Sequence, residues 1–548
     1  MKKPGKRPAT GKPKKPAIGS DEVNPFLDLL QQADPDLLRT LEQVIRDGAG
    51  FDPGMFDAPD AVELFAEYLD FCEARFAGNE AETEQFDRYP DLVSALSDLS
   101  IRSNGGDHLA REDIAEIDDM LDEAIKDRVL HLIDLVFTGK ILSDAGWEVP
   151  NNLRQAASES LRNSRSGASG EAFHVPMDEL LPLPNEIRNN PYELHEFLNS
   201  IFAAFTADAI KIFCVELASS PKPEVVRAIT GFILHPESGV AAAVAGALAS
   251  SAQARPAESV LIERLVRIRP WLPPERQSYV DTAIKTMRQN AGPPVKLAAP
   301  KLIKCLASVC DGSGTRSLYV SQRQGGAYQF ATVMIKPAGI ADAVVLSGMT
   351  KTDMDMMLRQ LKSSALSIET DLAGIARMLA LALGENAASG KLPPFKLVEV
   401  VESLGLGPLL PSGDTPADII SDLLKGIPPE ETDPAAVARA HREIAESDFA
   451  EQWFEAGEAV EDLLYPVKGS QKRVTKLMKT YLEERRQFWA RQCAISALAL
   501  RGAGQANLSL SRQLALVGND IASGTALDKI PLMQHVARQT VRSFEARL

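Results

Sequence analysis

Apolar positions recur at helical spacing over most of this chain, and at strand spacing in one short stretch only. From Arg111 to Phe137, Ile114, Ile117, Leu121, Ile125, Val129 and Leu132 fall on one face, which predicts a single helix packed on neighbours. Upstream, Asp34-Pro35 supplies an N-cap with proline at the first helical position and Gly48 a stop; a second helix is predicted over 59–77. Five helices near 192–218, 223–235, 238–251, 257–268 and 274–289 follow, separated by short turns marked by Pro or Gly. Between 301 and 347 the period changes. Ser317–Arg323, Tyr328–Lys336 and Ala343–Ser347 read as strands with Leu302–Val309 as a partner, separated by Asp311-Gly312-Ser313-Gly314, Gln324-Gly325-Gly326 and Pro337-Ala338-Gly339. Helical patterning resumes after Thr350, and one helix is expected over 471–500.

These patterns predict a mainly α, multi-domain helical array with solenoid-like helix pairs and one small antiparallel β meander. At 548 residues the chain is too long for a single core. The expected segments are a disordered basic arm (1–24), an acidic helical domain (25–160), a linker (161–190) and helical pairs (191–295). The meander (296–350), an acidic helical region (351–465) and basic C-terminal helices (466–548) complete the order. The linker rests on Arg162–Gly170 and the scattered prolines after it, a stretch without strong periodicity.

Within 191–290, Pro223-Glu224-Val225-Val226-Arg227-Ala228-Ile229, the small-residue run Val240–Ala249 and the corner Pro270-Trp271-Leu272-Pro273 resemble HEAT-type repeats. The resemblance implies an α-solenoid, whose stacked neighbours share a core and present a concave surface to partners.

Charge adds a second layer of organisation. Residues 1–20 carry seven Lys/Arg (Lys2, Lys3, Lys6, Arg7, Lys12, Lys14, Lys15) and no acid. Their Lys-Pro-Gly composition cannot bury enough apolar surface to fold. Its texture is similar to linker-histone-type tails, and its basic pairs resemble a bipartite nuclear-import signal. Residues 21–150 hold 32 acids against 9 Lys/Arg, a balance of −23 that exceeds the −16 of the whole chain. A second switch lies near 465: residues 396–464 stand at −12 and 465–548 at +9. On the expected helix over 471–500, Lys472, Lys476, Lys479 and Arg486 share a face opposite Leu477, Tyr481, Phe488 and Trp489, with Lys479 placed to pair with Glu483.

Catalytic and metal signatures are sparse. Gly384–Leu392 departs from a phosphate loop by one residue, ends in Leu and follows a helix, so it reads as a helix-terminating loop. Asp311–Thr315 lacks calcium-loop ligands and reads as a hairpin turn. Cys305 and Cys310 have no companion ligands for zinc. Asp127 and His131 lie one turn apart on the expected helix, and Glu112, Glu116, Asp119 and Glu123 form a carboxylate stripe opposite its apolar face. Ser219-Ser220-Pro221-Lys222 has Ser-x-x-Lys spacing with proline between, a turn. No cofactor or metal is expected. Five scattered cysteines favour a reducing compartment, and the longest apolar runs (239–249 and 372–384) are too short to span a membrane. No signal peptide is visible at the start, which leaves a cytoplasmic address and no membrane contact.

The reading that follows is a non-enzymatic interaction or scaffold protein that binds a protein partner through helical surfaces and charged blocks. A nucleic-acid-associated factor using residues 1–20 is the alternative, and an enzyme with a dispersed site near the meander the third. The oligomeric state is left open.

Overall fold

Helix formation follows the 3.6-residue apolar period over most of the described residues, and the protein is mainly α-helical with one small antiparallel sheet. The structure, a computed structural model, describes residues 60–76, 86, 88–104, 107–166, 185–294, 300–324, 326–364, 367–502 and 505–546. The helix expected from Asp34 to Gly48 and all seven cations of the arm lie outside the described residues.

The first block holds α1 (Ala61–Phe76), α2 (Tyr89–Asn104), α3 (His108–Lys126), α4 (Leu132–Asp144) and α5 (Asn151–Ser166). The single helix expected from Arg111 to Phe137 is two. Arg128 adopts the left-handed backbone (φ 57°), and Val129 N–H returns to Ala124 O at 3.1 Å, which closes α3. His131 then becomes the N-cap of α4, its N–H bonded to Asp134 Oδ2 at 3.0 Å. Asp127 and His131 therefore flank a break instead of sharing a helix face. No Gly or Pro marks it, and the apolar spacing of Ile125, Val129 and Leu132 runs across it. Helix α5 continues to Ser166, so the first residues of the expected linker are helical.

The second block contains α6 (Asn185–Asn189), α7 (Pro191–Phe202), α8 (Ala207–Leu217), α9 (Pro223–Ile229), α10 (Ser238–Ala254), α11 (Ser259–Ile268) and α12 (Pro274–Gln289). The helix expected over 192–218 is interrupted at 203–206, where the chain presses on the first block. A Cβ on Gly139 would lie 2.5 Å from Ala204 Cβ, and Ser158 Oγ accepts from Thr206 N at 3.0 Å. Likewise the 223–235 helix tightens into a 3₁₀ turn over Thr230–Leu234, because the His195 ring occupies the space beside Gly231.

Strands β1 (Lys301–Ser308), β2 (Arg316–Gln324), β3 (Ala327–Lys336) and β4 (Gly339–Met349) form the expected meander. A fifth, β5 (Ser367–Thr370), pairs with Cys305–Ser308 and gives the antiparallel order β4-β3-β2-β1-β5. Four residues lodged between helical segments are too short to show a strand period. The Asp311–Gly314 segment closes a hairpin: Thr315 N donates to Asp311 Oδ1 at 2.9 Å, and Gly314 has φ 87°.

Helices α13 (Lys351–Ser364), α14 (Leu372–Ser389) and α15 (Lys396–Ser403) surround the sheet. The Gly384–Ser389 segment, expected as a loop, is the last part of α14, which ends at Gly390 (φ 71°). Gly384 lies inside it because Ser412 O crosses where a Cβ would stand. The last block comprises α16 (Pro416–Leu424), α17 (Pro434–Ala445), α18 (Glu458–Leu464), α19 (Ser470–Lys479), α20 (Tyr481–Glu484), α21 (Arg486–Arg501), α22 (Gln505–Ala522) and α23 (Pro531–Glu545). The helix expected over 471–500 is thus three, broken at Thr480 (φ −119°, ψ −84°) and again at Arg485. A continuous hydrophobic core runs through all blocks. Among the described residues no helix is long and apolar enough to cross a membrane.

Candidate acidic-partner interface

Lys472, Lys476 and Lys479 occupy positions i, i+4 and i+7 of α19, and all three side chains are exposed. The opposite face fixes the helix: Leu477 and Met478 are buried, and α19 packs along α23. Arg473, between the lysines in sequence, turns inward. It donates to Val467 O at 2.8 Å and Glu545 Oε1 at 2.8 Å, and lies over the Phe544 ring at 5.0 Å. Just before the helix, Tyr465 is 74% exposed.

Arg486 leaves this face. The breaks at Thr480 and Arg485 rotate it inward, where it pairs with Glu483 at 2.8 Å and donates to the carbonyls of Ile521 and Thr525 at 2.8 and 2.9 Å. It satisfies the open carbonyl end of α22. Glu483, expected to pair with Lys479, is taken by Arg486 instead. Four expected cations thereby become three lysines. Lys476 and Lys479 also lie in the last turn of α19, where positive charge complements the helix dipole.

The acidic segment before residue 465 meets the basic segment after it through arginines. Arg485–Glu455 (2.7 Å), Arg512–Glu431 (3.0 Å) and Arg501–Asp422 (3.1 Å) tie the two together, and Trp489 Nε1 donates to Glu455 at 2.8 Å. Planar guanidinium groups serve these pairs, two of them partly buried, and the α19 ammonium groups are left on the surface. On α3, Glu112, Glu116, Asp119 and Glu123 are exposed opposite the buried Ile117 and Leu121, a solvated acidic stripe.

Three further sites have the polarity or shape of candidates. Near the sheet, Arg316 and Arg491 both contact Glu385, the former at 3.1 Å. Cys310 lies within this cluster; burial pushes its thiol up, opposed by Arg316, so it is no ready nucleophile. A cavity of about 170 Å³ lies in the second block among Pro221, Val226, Leu248, Leu261 and Met287. Its charged rim is occupied: Arg255 donates to Ser220 O at 2.6 Å, and Glu258 pairs with Arg227 at 2.8 Å. Among the described residues no group of three or more His, Cys, Asp or Glu side chains could hold a metal ion.

The third is a buried ionic seam between α7, α11 and α15. Arg264, 2% exposed, donates to both oxygens of Glu402 at 3.0 Å and to Tyr192 Oη at 2.7 Å, and Tyr192 donates to Glu402 at 2.6 Å. Burial alone would raise the Glu402 carboxyl; Arg264 outweighs it and holds the group below the usual range. Sequence reading missed these residues and Tyr465. Their signal was available in part, as charges interrupting apolar faces: Arg264 between Leu261 and Leu265, Glu402 after Val400 and Val401.

A mainly helical protein with one small sheet, no described metal cluster and a lysine-bearing exterior is the class these features define. Two of its blocks match family models: residues 206–291 the Y4lR second domain, and residues 417–545 the Y4lR C-terminal helical domain. The chain is also similar to the "Uncharacterized protein y4lR" of Sinorhizobium fredii (strain NBRC 101917 / NGR234). Identity is 24% over 363 residues, covering 64% of this chain and 68% of that protein. No solved structure matches.

Proposed function

We propose that this chain is a non-enzymatic interaction protein whose α19 lysine face binds an acidic protein, with the solenoid-like helical pairs of 191–295 as a scaffold. The observation that carries the reading is the division of labour among cations: the neighbouring arginines are paired with carboxylates of the chain, while Lys472, Lys476 and Lys479 project to solvent. Such a face steers an oppositely charged partner and orients it.

Capture from nuclease-treated native extract, by wild type and by K472A/K476A/K479A, tests it. An acidic protein recovered by wild type and lost by the variant supports the reading; equal recovery removes the face from it. The seven cations of residues 1–20 favour nucleic acid as the second reading. There, log affinity for duplex DNA falls with log salt at a slope of roughly −6, and deletion of residues 1–20 abolishes retention. Equal retention without the arm ends that reading.

A further inference from the structure

The ionic seam holds more carboxylates than its cations engage in ion pairs. Lys396 opens α15 and is engaged by Glu193 of α7 at 2.9 Å. Arg264 is engaged by Glu402, and Arg267 lies 3.6 Å from Glu263 and 3.9 Å from Glu402. Glu399 stands one turn from both Lys396 and Glu402, yet its Oε2 is buried with no hydrogen-bond partner among the described residues. Glu193 of α7 adds like charge, and Glu196 on the same helix, its carboxyl raised by burial, also faces Lys396 and Glu193 as well as Asp342 of β4. Lys396, a hydrogen bond from Asn190 and Arg264 oppose the like charge at Glu399, and the neighbouring His195 donates no charge, being buried and held neutral down to about pH 3 by desolvation. Burial first, then Glu193, pushes the Glu399 carboxyl up to about 7.

The surroundings make this position consequential. Leu397, Val398, Val400 and Val401 are buried, and α15 lies between α11 on one side and strands β3 and β4 on the other. Phe395 packs on Tyr192 and His195 with ring centroids 5.2 and 4.7 Å apart. Pro393-Pro394 and Gly405 (φ 64°) bracket the helix, so it is delimited as a unit.

We propose that α15 is a proton-fastened joint between the helical pairs and the sheet: protonation of Glu399 closes the α7–α11–α15 seam, and its ionisation loosens it. A neutral carboxyl removes the buried surplus charge and gains a donor for its neighbours. An ionised one repels Glu193 and draws water into the seam. The device is independent of the lysine face and stands whether or not that face binds a partner.

Two measurements on the full chain test it. In the folded wild type, isotope-edited NMR should follow the Glu399 carboxyl through a transition near neutrality; a transition below about pH 5 overturns the proposal. Amide exchange of residues 396–403, corrected for the intrinsic rate, should report an opening constant that rises at least about tenfold from pH 5 to pH 8 relative to E399Q. Using the difference from E399Q cancels the contribution of His195. A pH-independent difference overturns the joint even where the carboxyl titrates as expected.

Discussion

Arg264 and Lys476 carry the same charge and are used in opposite ways. Arg264 is enclosed, forked onto Glu402 and joined to Tyr192, so its charge is spent inside the fold. Lys476 stands on α19 in water, with its helix held by Leu477 beneath it. Burial decides the difference. A charge taken out of water demands a partner of good geometry, whereas an exposed ammonium loses little by remaining unpaired. At the seam Arg264 is closed off from water with its partners, and on α19 the lysines are left in it.

The largest effect that could break this contrast is at the seam. R264A strands Glu402 as a buried charge, and the denaturation midpoint should correspond to a loss of about 3–5 kcal/mol. The apolar double replacement R264M/E402L should recover most of it. A small loss in R264A would mean that the seam is wetter than its geometry indicates.

An intermediate effect separates Glu399 from His195, two titrating groups of the seam. Glu399 has a folded value raised to about 7, so its stabilising contribution is present at low pH and lost as pH rises through 7. His195 has a folded value lowered to about 3, so stability is lost as pH falls below the ordinary histidine value. Between pH 7 and pH 5 the two oppose one another, each by about 2 kcal/mol. The Glu399 and His195 contributions should therefore cancel to within about 1 kcal/mol across that range. On the same acidification E399Q should lose about 2 kcal/mol more than wild type, read by urea unfolding of both at each pH.

The smallest stability effect belongs to the lysine face. K472A, K476A and K479A should each shift stability by no more than about 0.5 kcal/mol, since no buried partner is abandoned. A loss several times larger for any of them would show that the lysine is structural and would weaken the contrast at its source.

Much of the fold was legible because its signals are local. Turn chemistry at Asp311–Gly314, Gln324–Gly326 and Pro337–Gly339 placed four of the five strands, and proline and glycine located most helix ends in the second block. Breaks without such residues were not legible. Arg128 interrupts α3 and α4 through a left-handed backbone, and Thr480 interrupts the last block, while the apolar period continues across both. The same cause shaped the site. Lys472, Lys476 and Lys479 stayed on one helix, as local spacing indicated, but Arg486 was carried inward by a break the period conceals. The ionic seam lay further beyond reach, because Tyr192, Arg264 and Glu402 meet only when three separate helices pack.

Lysine-reactive footprinting of the full chain, in its native cells and after purification, tests the central claim most directly. Lys472, Lys476 and Lys479 should react freely in the purified protein and be shielded together in the cell. Equal reactivity of all three in both settings would contradict a partner-binding role for the face.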